Sequence, residues 1–223
     1  MTDERLTLLV DADDPLWENA IHFRRARPWW HDAMQRRGVD AGRATLVFET
    51  LETLSFTHGW FGSDRLEHNM LEAARRLVGE LAPSFRDEII AWAHAVRTHE
   101  IRLYEGVEAT LKQLEIRHDL MVVTMGNHGE QTAKVARSGL AALFRHVEVM
   151  RDKTVDAYRR LMDERAIRDD CGWMIGNSLA KDVEPARRAG LRTVHVDNGT
   201  SFPPGPGTPD VVIRSFPELL DHF

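Results

Sequence analysis

Asp11 and Asp13 stand one residue apart directly after an apolar run, residues 6–10. Thr124 ends a second such run, Lys153 follows a third, and Asn177, Ser178 and Asp182 follow a fourth. Two carboxylates, a hydroxyl, an ammonium and a further carboxylate can together hold a hard divalent cation and a phosphoryl group. Magnesium takes a few oxygen ligands and completes its shell with water and substrate phosphate. A hydroxyl and loop N–H groups can grip phosphoryl oxygens, and a lysine offsets charge that develops on them. Only the set carries this meaning. Alone, Asp-x-Asp is equally a turn whose side chains bond their own backbone. Thr124 alone is a strand-end hydroxyl, Lys153 a solvated helix-start residue and Asp182 a helix cap. Lysine is scarce, however: Lys112, Lys134, Lys153 and Lys181 are the only ones in the chain.

The set works only if the backbone brings the four places together. A buried strand is expected over 6–10, and from Gly106 onward helical and strand patterns alternate. The pattern predicts helix 107–117, strand 119–124, helix 130–138, strand 146–150, helix 154–165 and strand 172–176. Helix 182–189, strands 192–196 and 211–213, and a short helix 215–222 complete it. Such alternation implies a parallel sheet with right-handed crossovers. Ligands bind just outside the carboxyl ends of the strands in these sheets, where all four places fall. The fold class is therefore α/β, with a Rossmann-like parallel sheet core. Between Trp17 and about Glu100 no strand pattern occurs. Leu66, Met70, Ala74, Leu77, Val78 and Leu81 keep helical spacing, and Ile89, Ile90, Ala93 and Val96 do so after a start with Ser84 as N-cap. Gly38, Gly59 and Gly62 mark breaks between about four helices. The expected division is a core of 1–16 and 101–223 and an inserted all-helical cap of 17–100.

The 223 residues are 43% hydrophobic and 29% charged with net charge −6, a composition that suits a globular protein with a full core. Mild acidity argues against a nucleic-acid partner, which calls for a basic face. One cysteine, Cys171, excludes an internal disulfide and suits a reducing compartment. No leader pattern and no bilayer-spanning run is evident, so the expected location is cytoplasmic, without a membrane partner. The eleven histidines show no metal-ligand spacing.

The ordered set resembles the haloacid dehalogenase-like (HAD) superfamily over nearly the whole chain. The family's first motif, a strand followed by Asp-x-Asp-x-Thr, is matched by residues 6–15; its second, a strand ending in Ser or Thr, by 121–124. Its third, a lysine opening a helix, is matched by Lys153, and its fourth, Gly-Asp-x-x-x-x-Asp, by 176–182. Pro15 stands where the first motif usually has Thr, Met125 where Asn is common, and Asn177 where the fourth has its first Asp. The helical stretch between the first two motifs is similar to the family's small helical cap.

The resemblance implies a magnesium-dependent phosphatase acting on a small phosphorylated metabolite through an aspartyl-phosphate. Asp11 would be the nucleophile and Asp13 the acid and base. Asp11, the Asp13 carbonyl and Asp182 would bind Mg²⁺, with Asn177 in support. Thr124, the Met125 N–H and Lys153 would hold the phosphoryl oxygens. A phosphomutase of the same superfamily and a non-catalytic HAD-like binding module are the alternatives. Arg24, Arg25, Arg27, Trp29, Trp30 and His31 form a cationic and aromatic cluster, readable as a charged helix face with two core tryptophans or as a substrate-facing surface. On the second reading Arg27 and Trp30 would touch substrate, as would His128 in the loop after Thr124. Asp14 is expected to face solvent or a neighbour.

Overall fold

The structure is a computed structural model, and it describes residues 5–58, 60, 62–200 and 205–223. Its described residues divide into two compact units, one running to Glu18 and resuming at Ile101, the other Asn19–Glu100.

The first unit opens with β1 (Thr7–Val10). After the second unit come α6 (Val107–Arg117), β2 (Asp119–Met125), α7 (His128–Arg137), β3 (His146–Met150) and α8 (Val155–Arg165). Next are β4 (Gly172–Gly176), a single π-helical turn (Leu179–Val183), α9 (Glu184–Ala189), β5 (Arg192–Val196) and β6 (Val211–Ile213). A 3₁₀ helix, Phe216–Asp221, closes the chain. Among the described residues the sheet runs β3-β2-β1-β4-β5-β6, all parallel.

β1 is central because it is apolar on both faces. Leu8 and Val10 pack with Leu120, Val122 and Ile175 on one side. Leu9 packs with Met121, Val123, Met174 and Tyr158 on the other. A strand buried on both sides reads as a continuous hydrophobic run, which is how residues 6–10 read. The register aligns Val10 with Val122 on one side and with Ile175 on the other. The residues just beyond these three positions, Asp11, Thr124 and Gly176 among them, therefore lie together at the carboxyl end of the sheet. β1 thus sets the place of everything that follows.

The second unit holds α1 (Ala20–Arg24), α2 (Ala26–Gln35), α3 (Ala41–Thr57), α4 (Ser63–Val78) and α5 (Pro83–Arg97). Its core is Trp30, Met34, Phe48, Leu66, Met70, Phe85 and Ile89 with their neighbours. Five helices among the described residues replace the four expected, because 20–35 is split at Arg25. The helix start at Ser84 is corrected: Pro83 is the first helical residue after Ala82, whose side chain makes no cap bond. Proline suits that position because the missing N–H is unused there. Gly38 and Gly62 both have positive φ at breaks, while Gly59 lies outside the described residues. No helix among the described residues is long and apolar enough to cross a membrane.

Candidate active site

Asp11 is placed by its backbone N–H, which continues the β1–β4 ladder to the Ile175 carbonyl (2.8 Å). Its side chain is almost wholly buried and accepts from Lys153 Nζ at 2.7 Å on Oδ1. Lys153 lies between β3 and α8, next to Thr154, whose hydroxyl caps α8 by accepting from Ala157 N (3.2 Å). The same ammonium donates to Asp182 Oδ1 at 2.6 Å. One lysine therefore bridges carboxylates from the first and fourth motifs.

Asp182 owes its position to the π-helical turn. Asp182 N and Val183 N both donate to the Ser178 carbonyl, at 2.8 and 3.2 Å, widening the turn by one residue. Such turns recur at functional sites. The Ser178 N–H donates to Asp182 Oδ2 (2.9 Å), so both carboxylate oxygens are engaged. Gly176 permits this: a Cβ there would run into the Asp182 carboxyl carbon well inside contact distance.

Burial pushes the Asp11 carboxyl up from 3.8 to about 7; attraction to Lys153 opposes the rise and the charge of Asp182 adds to it. Burial would likewise depress the Lys153 ammonium, but its attraction to Asp11 and Asp182 wins and holds it above its ordinary value.

Asp13 has a separate set of partners. Trp17 Nε1 donates to its Oδ1 at 2.8 Å, Gln131 Nε2 to Oδ2 at 3.1 Å, and Lys134 Nζ to both oxygens at 3.2 and 3.0 Å. Burial would raise this carboxyl too, yet the charge of Lys134 and the hydrogen bonds from Lys134, Trp17 and Gln131 outweigh it and hold Asp13 below the usual carboxylate range. Thr124, buried at the end of β2, donates its hydroxyl to Gln131 Oε1 (3.3 Å). Gln131 therefore ties the Thr124 hydroxyl to the Asp13 carboxylate.

Asn177 donates its Nδ2 to Thr200 Oγ1 at 3.0 Å, which turns its carboxamide oxygen away from that partner. Buried His195 on β5 donates Nε2–H to the Asn177 carbonyl (3.1 Å), pinning the backbone at the end of β4. Thr200 also bonds Asn198 Oδ1, and Asn198 Nδ2 donates to the Asp14 carbonyl (2.8 Å). Asp14 is buried with φ of 78°, so of the two expected surroundings, solvent or a neighbour, solvent is ruled out: it is the tight corner of the first loop.

Asp11, Lys153 and Asp182 are thus directly bonded, Asp13 and Thr124 are joined through Gln131, and Met125 ends β2 half-buried, paired in register with Met150. Arg27 is exposed and pairs with Glu49 at 2.7 Å; His128 is exposed at the start of α7. Trp30 is a correction. It is 1% exposed in the core of the helical unit and donates Nε1–H to the Ala44 carbonyl (3.1 Å), so no face of it is open to a substrate. Trp29 stacks on Trp92. Sequence reading missed Lys134, Gln131 and Trp17 as partners of Asp13. The signal was the inward stripe of α7, where Gln131 and Lys134 share the buried face with Val135.

The carboxyl edge of this parallel sheet gathers two carboxylates on one lysine, with a third carboxylate held beside them. The family model of the haloacid dehalogenase-like hydrolases matches residues 61–196, and the chain belongs to that family. It is 27% identical over 230 residues to the glyceraldehyde 3-phosphate phosphatase of Methanopyrus kandleri, covering 96% of this chain and 95% of that protein. A haloacid dehalogenase-like hydrolase from Xanthomonas campestris superposes with TM-score 0.82 at 21% identity, over 98% of this chain and 94% of the other. The hydrolase YfnB of Bacillus subtilis, crystallised with magnesium, superposes with TM-score 0.68 at 18% identity, over 98% and 99% of the two chains.

Proposed function

We propose that the protein is a magnesium-dependent phosphatase acting on a small phosphorylated metabolite. The observation that carries this reading is Lys153, whose ammonium joins Asp11 and Asp182 at 2.7 and 2.6 Å on the carboxyl edge of the sheet. Likeness to a glyceraldehyde 3-phosphate phosphatase supports it and makes that ester the first candidate substrate.

The donor set fits magnesium. It consists of oxygens only: the Asp11 and Asp182 carboxylates, the Asn177 carboxamide oxygen and the Asp13 backbone carbonyl. Among the described residues no three His, Cys, Asp or Glu side chains are grouped for a metal held by protein alone. Magnesium keeps waters and takes substrate oxygens into its shell, so a few protein oxygens suffice to hold it. When bound, magnesium supplies positive charge to the phosphoryl oxygens and to Asp11.

Asp11 attacks phosphorus in line, forming an Oδ–P bond as the ester P–O bond breaks. The leaving oxygen takes a proton from Asp13, whose proton affinity rises as the phosphate anion arrives beside it. Asp13 then takes a proton from water as that water attacks phosphorus, and Asp11 is released with inorganic phosphate. Thr124 and the Met125 N–H grip phosphoryl oxygens, while Lys153 neutralises the growing charge. His128, exposed at the start of α7, is the proposed contact to the rest of the substrate. Dehalogenation, the reaction in the family's name, needs no acid for its halide leaving group and leaves Asp13 and its donors without a task.

The deciding experiment is release of phosphate from 4-nitrophenyl phosphate and from glyceraldehyde 3-phosphate, with magnesium and with EDTA. Turnover that requires magnesium is expected. No release from any phosphate ester in a broad panel would overturn the reading.

A further inference from the structure

Lys134 is the second buried lysine of the α/β unit, and the roles given to the four motifs leave it unused. Its side chain is 2% exposed, against 19% for Asp13, so it faces Asp13 and not the space where an ester would lie. Burying an ammonium is costly unless it is paired and hydrogen-bonded. Here the partners are both Asp13 oxygens at 3.2 and 3.0 Å, with Glu130 further off at 3.7 Å on its own helix. Gln131, one helical turn earlier, completes the grip by donating to Asp13 Oδ2 while accepting from Thr124. α7 is itself anchored at its start, where the Asn127 side chain accepts from Glu130 N (3.1 Å).

We propose that Lys134, assisted by Gln131, is the positioning residue of Asp13, fixing that carboxylate at the leaving oxygen without touching the substrate. The inference rests on the phosphatase reading and deepens it. A loop carboxylate free to rotate would spend most of its time out of line with the proton it transfers, and proton transfer requires hydrogen-bond reach. Three donors from two elements leave Asp13 one orientation. The α7 lysine thus does for the acid–base group what Lys153 does for the nucleophile.

The test compares esters whose leaving groups need help to different degrees. 4-Nitrophenolate leaves without a proton, whereas the alkoxide of glycerol phosphate does not. Lys134→Met is expected to lower kcat on glycerol phosphate on the order of tenfold more than on 4-nitrophenyl phosphate, with KM nearly unchanged, as Asp13→Asn should. Lys134→Arg should restore part of the difference, and Asp13→Asn with Lys134→Met together should lose no more than Asp13→Asn alone. Equal losses on the two esters, or additive losses in the double variant, would overturn the proposal. Should Lys134→Met fold poorly, Gln131→Leu carries the same comparison.

A second readout does not depend on turnover. Urea midpoints of the single and double variants should be non-additive if Lys134 holds Asp13, and additive midpoints would overturn the pairing itself. Wild-type protein inactive on both esters and across the broad panel would instead overturn the phosphatase reading, leaving the unfolding cycle to judge the pair.

Discussion

Asp11 and Asp13 are the same residue type two positions apart, both largely buried, and their carboxyls are displaced in opposite directions. Burial raises both. The difference lies in how many donors each receives and with whom they are shared. Among the described residues Asp11 has Lys153 alone and divides it with Asp182, so two carboxylates meet one ammonium. Asp13 has Lys134 and two neutral N–H donors besides. The first site is short of positive charge and the second is well supplied. A site short of positive charge is one that a divalent cation can complete; a well-supplied one holds a carboxylate in place.

The largest effect expected from breaking this contrast is on turnover. Asp11→Asn should cost at least about a thousandfold in kcat, since an amide cannot replace the attacking carboxylate. Phosphate release by purified, folded variant decides it, and activity within roughly a tenth of wild type would remove Asp11 from the role.

Charge should decide the metal. Asp182→Ala is expected to raise the magnesium needed for half-maximal activity at least about tenfold, and Asn177→Ala by only a few-fold, because one offers a carboxylate and the other a dipole. A magnesium titration of the two variants compares them directly, and the reverse order would mean that the fourth motif has been assigned to the wrong residue. Gly176→Ala sharpens the same point without removing any donor. The added methyl must displace the Asp182 carboxyl, so stability should fall by about 1–3 kcal/mol and magnesium affinity with it. A variant with unchanged affinity would show that the Asp182 position is not demanding.

The sheet and most of the first site were legible in the sequence for one physical reason. A parallel strand buried on both faces must be an unbroken apolar run, and the first polar residue after it marks the carboxyl edge. Asp11, Thr124 and Asn177 all declare themselves in this way. The second site was hidden because its donors come from an ordinary-looking helix, 118 and 121 residues away from Asp13. Its place on the inward stripe of α7 is all that distinguishes Lys134 from Lys112, which pairs on the surface with Glu108 at 2.6 Å. Only the closure of the sheet makes one a buried partner and the other a solvated one. The cluster around Trp30 had two readings, and the charged helix face over core tryptophans is the one that holds for Trp30, because helical spacing turns Arg27 outward and Trp30 into the core.

The contrast also predicts opposite stability effects in metal-free protein. For Asp11 the folded value of about 7 lies above the ordinary 3.8, so the folded state holds a proton that the unfolded chain releases between those values. The stability linked to that proton is fully present below pH 3.8 and is lost as pH rises through about 7. Above that, charged Asp11 disfavours the fold by at most about 4 kcal/mol. Asp11→Asn should therefore raise the urea midpoint of metal-free protein at pH 8, and the gain should shrink at pH 5. Asp13 runs the other way: its folded value is lowered, so its contribution is present above pH 3.8 and lost only as pH falls below that. Asp13→Asn should lower the midpoint at pH 5 and at pH 8 alike. Midpoints for both variants at the two pH values, in EDTA, make the comparison. If both substitutions destabilise equally at pH 8, the two carboxylates do not differ in supply of positive charge, and the distinction between a site for a cation and a clamped carboxylate falls with it.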